Sequence, residues 1–192
     1  LTTSNLVNGR TLMSKDNSSL VTRYKLPNSV SKFIEDEAYK LPFFFFKDCA
    51  YGNEDNPLRK EMNPYFSHTF LLDREVSGNF NRMPWNVLGR AIHLPNNKMF
   101  RAHMTLQYPK PDRVGIPHNA HVDKPNYNHW VGLYYVNDSD GDTFFFDNDL
   151  NVIHKETPEK GKIILFDGKH LHSSSSPSKN VRFTLNINYE YN

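Results

Sequence analysis

Four potential metal ligands lie close together in the segment HNAHVDKPNYNHW, residues 118–130. Two of them, His121 and Asp123, form an H-x-D step. If this step lies on a strand, side chains two positions apart point to the same face, so an imidazole and a carboxylate can reach one ion. Such tripeptides also arise by chance, and the segment could instead be a hydrophilic surface turn. The choice depends on residues further along the chain.

Two segments downstream supply further groups. GKIILFDGKHLHSSSSP (161–177) reads as a buried strand followed by a loop that carries His170 and His172. VRFTLN (181–186) alternates apolar and polar residues, which places Arg182 and Thr184 on one strand face. Two imidazoles and one carboxylate leave three open positions on an octahedral Fe(II). A guanidinium offers a carboxylate a planar, bidentate grip. By spacing alone, either histidine supplies the second imidazole.

Taken in order, four short motifs resemble those of the double-stranded β-helix dioxygenases that use Fe(II) and 2-oxoglutarate, especially the prolyl-4-hydroxylase-like branch. The motifs are HVD (121–123), DGDT (140–143), FDGKHLH (166–172) and RFT (182–184). The resemblance covers roughly residues 99–190. Each motif is nonspecific, and the ordered set is considerably stronger.

The resemblance implies a metal site for Fe(II) formed by His121, Asp123 and His172. In the family, a strand ending in Phe leads through a short turn to the ligand histidine, and a serine and then a proline usually follow. His172 matches this pattern better than His170, since Ser173 and Pro177 come after it. The three metal ligands are also the expected catalytic residues.

The resemblance further implies that 2-oxoglutarate is a co-substrate. Arg182 would bind its distal carboxylate and Thr184 would add a hydrogen bond, as in the family's R-x-S/T pattern. Tyr108, in FRAHMTLQYP (100–109), is similar to the tyrosine that donates a hydrogen bond to 2-oxoglutarate in these hydroxylases. The segment PKPDRVGIPHN (109–119) departs from the family, where the stretch between this tyrosine and the H-x-D step is shorter.

Composition sets the frame for this site. The 192 residues predict one domain, 1–192, with 14% aromatic residues to build a core. The net charge of +2 comes without a basic block, which argues against an obligatory nucleic-acid partner. No apolar run approaches a membrane span. The single cysteine excludes an intramolecular disulfide, and no signal-peptide pattern opens the chain, so we expect a cytoplasmic protein.

The pattern of elements predicts an α+β, mainly β, fold. Residues 1–98 form a helix-containing support region, with helices at 27–40 and 83–92, a loop at 52–57 and a strand at 41–48 whose four phenylalanines are buried. Residues 99–192 form a jelly-roll core that carries the metal site. Its strand-like segments are MFRAHMTLQY, HWVGLYYV, DTFFFD, GKIILF and VRFTLNINYEY.

These expectations converge on a non-haem iron oxygenase. It would couple the oxidative decarboxylation of 2-oxoglutarate by dioxygen to hydroxylation of a peptide or protein side chain or of a small molecule. One alternative is a cupin-like or lectin-like binding module whose metal has no oxygenase role. Another is a metal-assisted hydrolase on the same three ligands, in which Arg182 has no evident purpose.

Overall fold

A computed structural model describes residues 20–47 and 63–191 of the chain. The first nineteen residues and the loop predicted at 52–57 lie outside the described ranges. The described strands are β1 (Thr22–Lys25), β2 (Phe44–Phe46), β3 (Tyr65–Leu72), β4 (Glu75–Val76), β5 (Met99–Gln107), β6 (His129–Tyr135), β7 (Thr143–Phe146), β8 (Val152–Glu156), β9 (Lys162–Asp167), β10 (Leu171–Ser174) and β11 (Arg182–Glu190). The helices are α1 (Asn28–Ala38) and α2 (Trp85–Ala91).

The strands form two antiparallel sheets. The large sheet has the order β1-β9-β6-β11-β5-β3-β2, with β4 paired to β3, and the small sheet has the order β10-β7-β8. Isolated bridges from Pro117 to Ser175 and from His121 to His172 extend the small sheet beyond β10. The chain crosses between the sheets repeatedly, as in a jelly roll. Two facing sheets of this kind are the predicted core, and the expectation of a mainly β fold is confirmed.

The two faces of the large sheet serve different purposes because strand residues alternate in direction. On β11, Phe183, Leu185 and Ile187 are buried in the main apolar cluster, which also contains Ile34 of α1 and Leu88 of α2. The other face looks toward the small sheet. There, a second cluster that includes Val131, Phe145 and Phe166 closes one end of the space between the sheets.

The described part of the support region, residues 20–47 and 63–98, contains more strand than its sequence predicts. Both helices form where expected, but β1, β3 and β4 join the large sheet from the same region, and β1 and β3 pair directly with core strands β9 and β5. The prediction of four buried phenylalanines was wrong, because β2 is an edge strand: Phe44 and Phe45 are 66% and 59% exposed, and Phe43 and Phe46 are only partly buried. Within the described residues, no helix combines the length and apolar character needed to cross a bilayer.

Candidate metal centre

The H-x-D step and the distal histidine meet through backbone pairing at the edge of the small sheet. The amide of His121 donates to the carbonyl of His172 at 3.0 Å, and the amide of His172 donates to the carbonyl of His121 at 2.9 Å. The sequence pattern predicts a loop at His172, whereas this residue lies on the short strand β10. The reciprocal pair fixes the two side chains side by side, with ring centroids 4.8 Å apart.

The third group, Asp123, completes a convergent set. Its Oδ1 lies 4.0 Å from Nε2 of His121 and 3.8 Å from Nε2 of His172. One ligand atom from each of the three residues falls within 4.8 Å of the others, and no other such set occurs among the described residues. The spacing of two between His121 and Asp123 therefore brings both side chains to one point, as the sequence predicts.

Both imidazoles are held in the form that a metal requires. Nδ1 of His121 lies 3.1 Å from the carbonyl oxygen of Asn119, and Nδ1 of His172 lies 2.9 Å from that of His170. A carbonyl oxygen can only accept, so each Nδ1 carries the hydrogen and each Nε2 presents its lone pair to the shared point. Such contacts orient metal-bound histidines and fix their tautomer.

The carboxylate of Asp123 is oriented from its other side. Its Oδ2 accepts hydrogen bonds from the side-chain amides of Asn186 at 2.8 Å and Asn188 at 3.0 Å. This leaves Oδ1 facing the imidazoles. Burial alone would raise the pKa of Asp123, but Arg101 and the surrounding imidazoles hold it well below its usual range. The group is therefore an anion.

The buried side of the site is apolar. The ring of His172 packs against Phe166 with centroids 5.0 Å apart and against Phe145 at 6.2 Å. This burial, together with His121, lowers the pKa of His172 to about 4, so the imidazole is neutral at physiological pH. Metal binding needs neutral imidazoles and ionised carboxylates. The three side chains fit a divalent metal ion such as Fe(II) in donor type, protonation and direction.

A buried cation lies deeper in the same space. Arg182 is 3% exposed and is held by the protein on several sides. Its Nε donates to the carbonyl of Gly141 at 2.7 Å, Nη2 to Oγ1 of Thr143 at 2.8 Å, and Nη1 to Oε1 of Gln107 at 3.1 Å. Gly141 permits this approach, because a Cβ there would lie 2.9 Å from Cδ of Arg182. The DGDT motif thus serves to position the guanidinium.

Thr184 lies beside this guanidinium as the strand alternation predicts. Its Oγ1 is 3.5 Å from Nη1 of Arg182 and shares a 2.7 Å hydrogen bond with Oγ1 of Thr105. The polar face of β11 is not the wet side of a sheet, since only Glu190 at its end is partly exposed and the other four polar side chains are buried: Arg182, Thr184, Asn186 and Asn188. Polar side chains on a sheet face are buried only where they hydrogen-bond to one another or bind a ligand.

One cavity of about 520 Å³ joins these two groups. It is lined at one end by the three metal-ligand candidates and at the other by Arg182 and Thr184, with β5 forming the wall between them. A volume of this size is typical of small-molecule sites. The arrangement can hold a metal ion and an anionic molecule that reaches from the metal to Arg182.

Two further candidates, Tyr108 and His170, lie away from the cavity lining. Tyr108 follows Gln107 and so points to the opposite face of the strand; it is 57% exposed and packs against Phe66 at 5.5 Å. The carbonyl of His170 orients His172, while its own imidazole is not part of the three-residue set. The structure therefore brings together five of the six predicted site residues and leaves Tyr108 apart.

Sequence reasoning did not assign roles to Gln107, Arg101, Asn186 and Asn188. Gln107 and Arg101 line the cavity from β5, and the two asparagines hold Asp123. A signal was present, because both β5 and β11 place polar residues at every second position. Pairing of the two strands, with Gln107 opposite Arg182 and Arg101 opposite Asn188, could not be read from either strand alone.

No family model matches the sequence. No curated protein matches it either. Among solved structures, an oxidoreductase of the 2OG-Fe(II) oxygenase family from Burkholderia pseudomallei superposes with a TM-score of 0.63 and 14% identity, over 91% of this chain and 86% of that one. A prolyl hydroxylase from Trichoplax adhaerens, in complex with a hypoxia inducible factor peptide fragment, gives 0.62 and 16%, over 91% and 84%.

A third similar structure is the non-haem, alpha-ketoglutarate-dependent epimerase of nogalamycin biosynthesis. It has a TM-score of 0.62 and 11% identity, over 89% of this chain and 78% of that one. Identities this low establish architecture and leave the chemistry to the site itself. The chain has the double-stranded β-helix fold that these 2-oxoglutarate-using proteins share.

Proposed function

We propose that this protein is an Fe(II)- and 2-oxoglutarate-dependent dioxygenase that hydroxylates a peptide or protein side chain or a small molecule. The observation that carries the proposal is the joint occurrence, in one cavity, of the His121–Asp123–His172 set and the buried Arg182. Either feature alone would suit several classes of protein. Together they match the requirements of a metal and of a dicarboxylic co-substrate.

The metal would be held by Nε2 of His121, Nε2 of His172 and Oδ1 of Asp123, the atoms that converge in the structure. Two imidazoles and one carboxylate on one face leave three coordination positions open, which is the arrangement of non-haem Fe(II) oxygenases. When bound there, Fe(II) would supply the activation of dioxygen; one oxygen atom would be incorporated into succinate, as 2-oxoglutarate loses CO2, and the other into the substrate as a hydroxyl group.

Arg182 supplies the fixed positive charge for the far carboxylate of the co-substrate. A guanidinium with three of its groups already held by Gly141, Thr143 and Gln107 loses little freedom when it binds an anion. Thr184 contributes a hydroxyl on the same side. Asn186 and Asn188 orient Asp123, and Phe145 and Phe166 exclude water from the side of His172.

This role gives the buried guanidinium a purpose that the rival functions do not. A cupin-like or lectin-like module needs no buried cation at the end of a cavity that also contains three metal-ligand candidates, and neither does a hydrolase. Burying a charge is costly, so its retention in the wall of a cavity favours a site that binds an anion there. A cytoplasmic setting, which the single cysteine favours, would keep the iron reduced.

The decisive assay is release of succinate and CO2 from 2-oxoglutarate under air, with Fe(II) added to metal-free protein and a panel of free amino acids, organic acids and short peptides. We expect Fe(II)-dependent succinate formation that at least one compound stimulates, that Asp123→Ala abolishes and that Arg90→Gln, on the outside of α2, leaves unchanged. Succinate formation that does not depend on iron, or none under any condition, would reject the proposal.

A further inference from the structure

The cavity contains a second guanidinium, at the end opposite Arg182. Arg101 lines the cavity from β5, where it pairs with Asn188, while Gln107 on the same strand pairs with Arg182. Six residues of extended strand separate these two positions, which corresponds to about 20 Å. Asn186 and Asn188 hold Asp123, so Arg101 lies beside the metal-ligand candidates, whereas Arg182 lies at the far end of the cavity.

Arg101 is poorly accounted for by its contacts within the protein. Its Nη1 donates to Oδ1 of Asn188 at 3.3 Å and lies 3.6 Å from Oδ1 of Asp123, beyond a normal hydrogen bond. The side chain retains 23% exposure toward the cavity. Asp123 is oriented mainly by other groups, because two side-chain amides hold its Oδ2, although the charge of Arg101 helps keep it ionised. The anionic oxygen nearest to Arg101, Oδ1 of Asp123, is also the oxygen that faces both imidazoles.

A metal ion bound to that oxygen would leave the positive charge of Arg101 without a compensating negative charge. Asp123 is the sole acidic residue among the described residues that line the cavity, whereas Arg101, Lys124 and Arg182 are basic. A divalent cation on Oδ1 would compensate the carboxylate and repel the guanidinium a few ångströms away. The two carboxylates of 2-oxoglutarate would be matched by the metal and by Arg182.

Lys124 adds to this imbalance at the same end. It lines the cavity, and its ammonium pairs with Asp73 at 3.3 Å, where the carboxylate is 58% exposed. Exposed ion pairs of this kind contribute little and exchange readily. The end of the cavity farthest from Arg182 is therefore a basic, partly open compartment. Arg101 and Lys124 line it on one side and Thr69 and Leu72 of β3 on another.

We propose that Arg101, assisted by Lys124, binds an anionic oxygen group of the primary substrate, a carboxylate or a phosphate. The substrate class is thus an acidic small molecule or an acidic side chain, and this inference rests on the proposed function. A guanidinium grips such groups through two parallel hydrogen bonds, which would orient the substrate over the metal. Arg101 is a specificity-determining residue in this account.

The competing role for Arg101 is to bind the metal-proximal carboxylate of 2-oxoglutarate itself. The register argues against it, because the co-substrate would run from the metal toward Arg182, and Arg101 lies level with Asn188, at the end of the cavity farthest from Arg182. The two roles differ in a measurable way. Loss of Arg101 weakens 2-oxoglutarate binding only if the co-substrate is its ligand.

The test uses Zn(II)-loaded protein, which is redox-inert, saturated with 2-oxoglutarate to fill the Arg182 end. Acetate and methyl phosphate serve as anionic probes and acetamide as the neutral match, at constant ionic strength, with binding followed by saturation-transfer NMR. We expect saturable binding of at least one anion, with a dissociation constant on the order of 1 mM, and none of acetamide. The more tightly bound anion identifies the substrate's group.

Three variants make the result specific. Arg101→Gln should weaken anion binding at least about tenfold, Arg101→Lys should weaken it less because it keeps the charge without the bidentate contact, and the matched surface control Arg90→Gln should retain it. Calorimetry should give the same 2-oxoglutarate affinity for wild type and Arg101→Gln. Thermal unfolding and zinc content show that each variant is folded and loaded.

Several outcomes would overturn the inference: equal anion binding in wild type and Arg101→Gln, equal binding of acetamide, no anion binding at all, or a tenfold loss of 2-oxoglutarate affinity in Arg101→Gln. Failure of the proposed function looks different. In that case 2-oxoglutarate does not bind wild type, and the anion titration, repeated without it, still reports on Arg101.

Discussion

The two ends of the cavity are built in opposite ways. At the Arg182 end, the protein surrounds the guanidinium with acceptors from Gly141, Thr143 and Gln107, at 2.7–3.1 Å. At the metal end, the outer atoms of His121, Asp123 and His172 are hydrogen-bonded, but Oδ1 of Asp123 lies 3.8–4.0 Å from Nε2 of each histidine, and Arg101, at 3.6 Å, is too far to hydrogen-bond to it.

The difference indicates what each end is for. A guanidinium that the protein already holds by hydrogen bonds is a rigid positive charge, and an anion can bind to it without rearrangement. Three lone-pair donors that converge are mutually unfavourable until a cation occupies the point between them. Removing a side chain at the metal end should therefore impair binding more strongly than removing one at the Arg182 end. The predictions below test this, from the largest expected effect to the smallest.

The largest effect should follow removal of a metal ligand. His121→Ala, Asp123→Ala and His172→Ala should each abolish tight Fe(II) binding and turnover, because two remaining ligands cannot hold the ion against water. His170→Ala is the matched control and should retain iron, since only the backbone carbonyl of His170 contacts the site. Metal analysis of the four purified proteins decides the point. Iron retained by His172→Ala and lost by His170→Ala would reverse the assignment.

The next effect concerns the co-substrate. Arg182→Ala should raise the dissociation constant of 2-oxoglutarate by about 10²–10³-fold, as expected for about 3–5 kcal/mol lost when a buried charge loses its partner. Thr184→Val removes one hydrogen bond and should cost about 1–2 kcal/mol. Anaerobic titrations of the Fe(II) proteins measure both. Iron content should stay at the wild-type level, and unchanged affinity in Arg182→Ala would place the anchor elsewhere.

The sequence allowed the convergence of the three metal-ligand candidates to be predicted better than their surroundings. His121, Asp123 and His172 were identifiable because their spacing follows from strand alternation and from short motifs. The orienting residues Gln107, Asn186 and Asn188 depend on which strands become neighbours, and that is decided by packing of the whole sheet. Tyr108 illustrates the limit, because it matches the motif in sequence, whereas Gln107, one position earlier, is the residue that lines the cavity.

The fold shows the same division. The helices at 28–38 and 85–91 and the five core strands were predictable from periodicity and from Pro and Gly positions. The short strands β8 and β10 were not, because four or five residues carry too little pattern to distinguish a strand from a loop. The exposure of Phe44 could not be foreseen either, since edge position is a property of the sheet.

A smaller loss should follow removal of an orienting amide. Asn186→Ala should weaken Fe(II) binding about 10–100-fold without abolishing it, because Asp123 would keep one of its two hydrogen bonds to Oδ2. Asn126→Ala, at an exposed position nearby, is the control for loss of an amide. Competition with a chromophoric chelator gives both affinities. An effect as large as that of Asp123→Ala would mean that Asn186 binds the metal directly.

The smallest effect is on acid stability at the Arg182 end. Burial, and then Arg182, lower the pKa of His118 to about 3, whereas an unfolded histidine titrates near 6.5. As pH falls below 6.5 the unfolded state gains a proton that the folded state cannot, so stability falls by about 1.4 kcal/mol per pH unit. His118→Gln should flatten this slope in urea unfolding of the metal-free protein, and the non-titrating surface control Asn126→Ala should not. An identical slope in His118→Gln would contradict the assignment.

The central claim is that one cavity couples a metal at His121, Asp123 and His172 to 2-oxoglutarate at Arg182. Calorimetric titration of 2-oxoglutarate into the wild-type protein, once metal-free and once loaded anaerobically with Fe(II), tests it most directly. The account predicts one binding site per chain in the iron-loaded protein and an affinity at least about tenfold weaker without iron, because the chelating end of the co-substrate then has no partner. Equal affinity with and without iron, or no binding in either form, would contradict it.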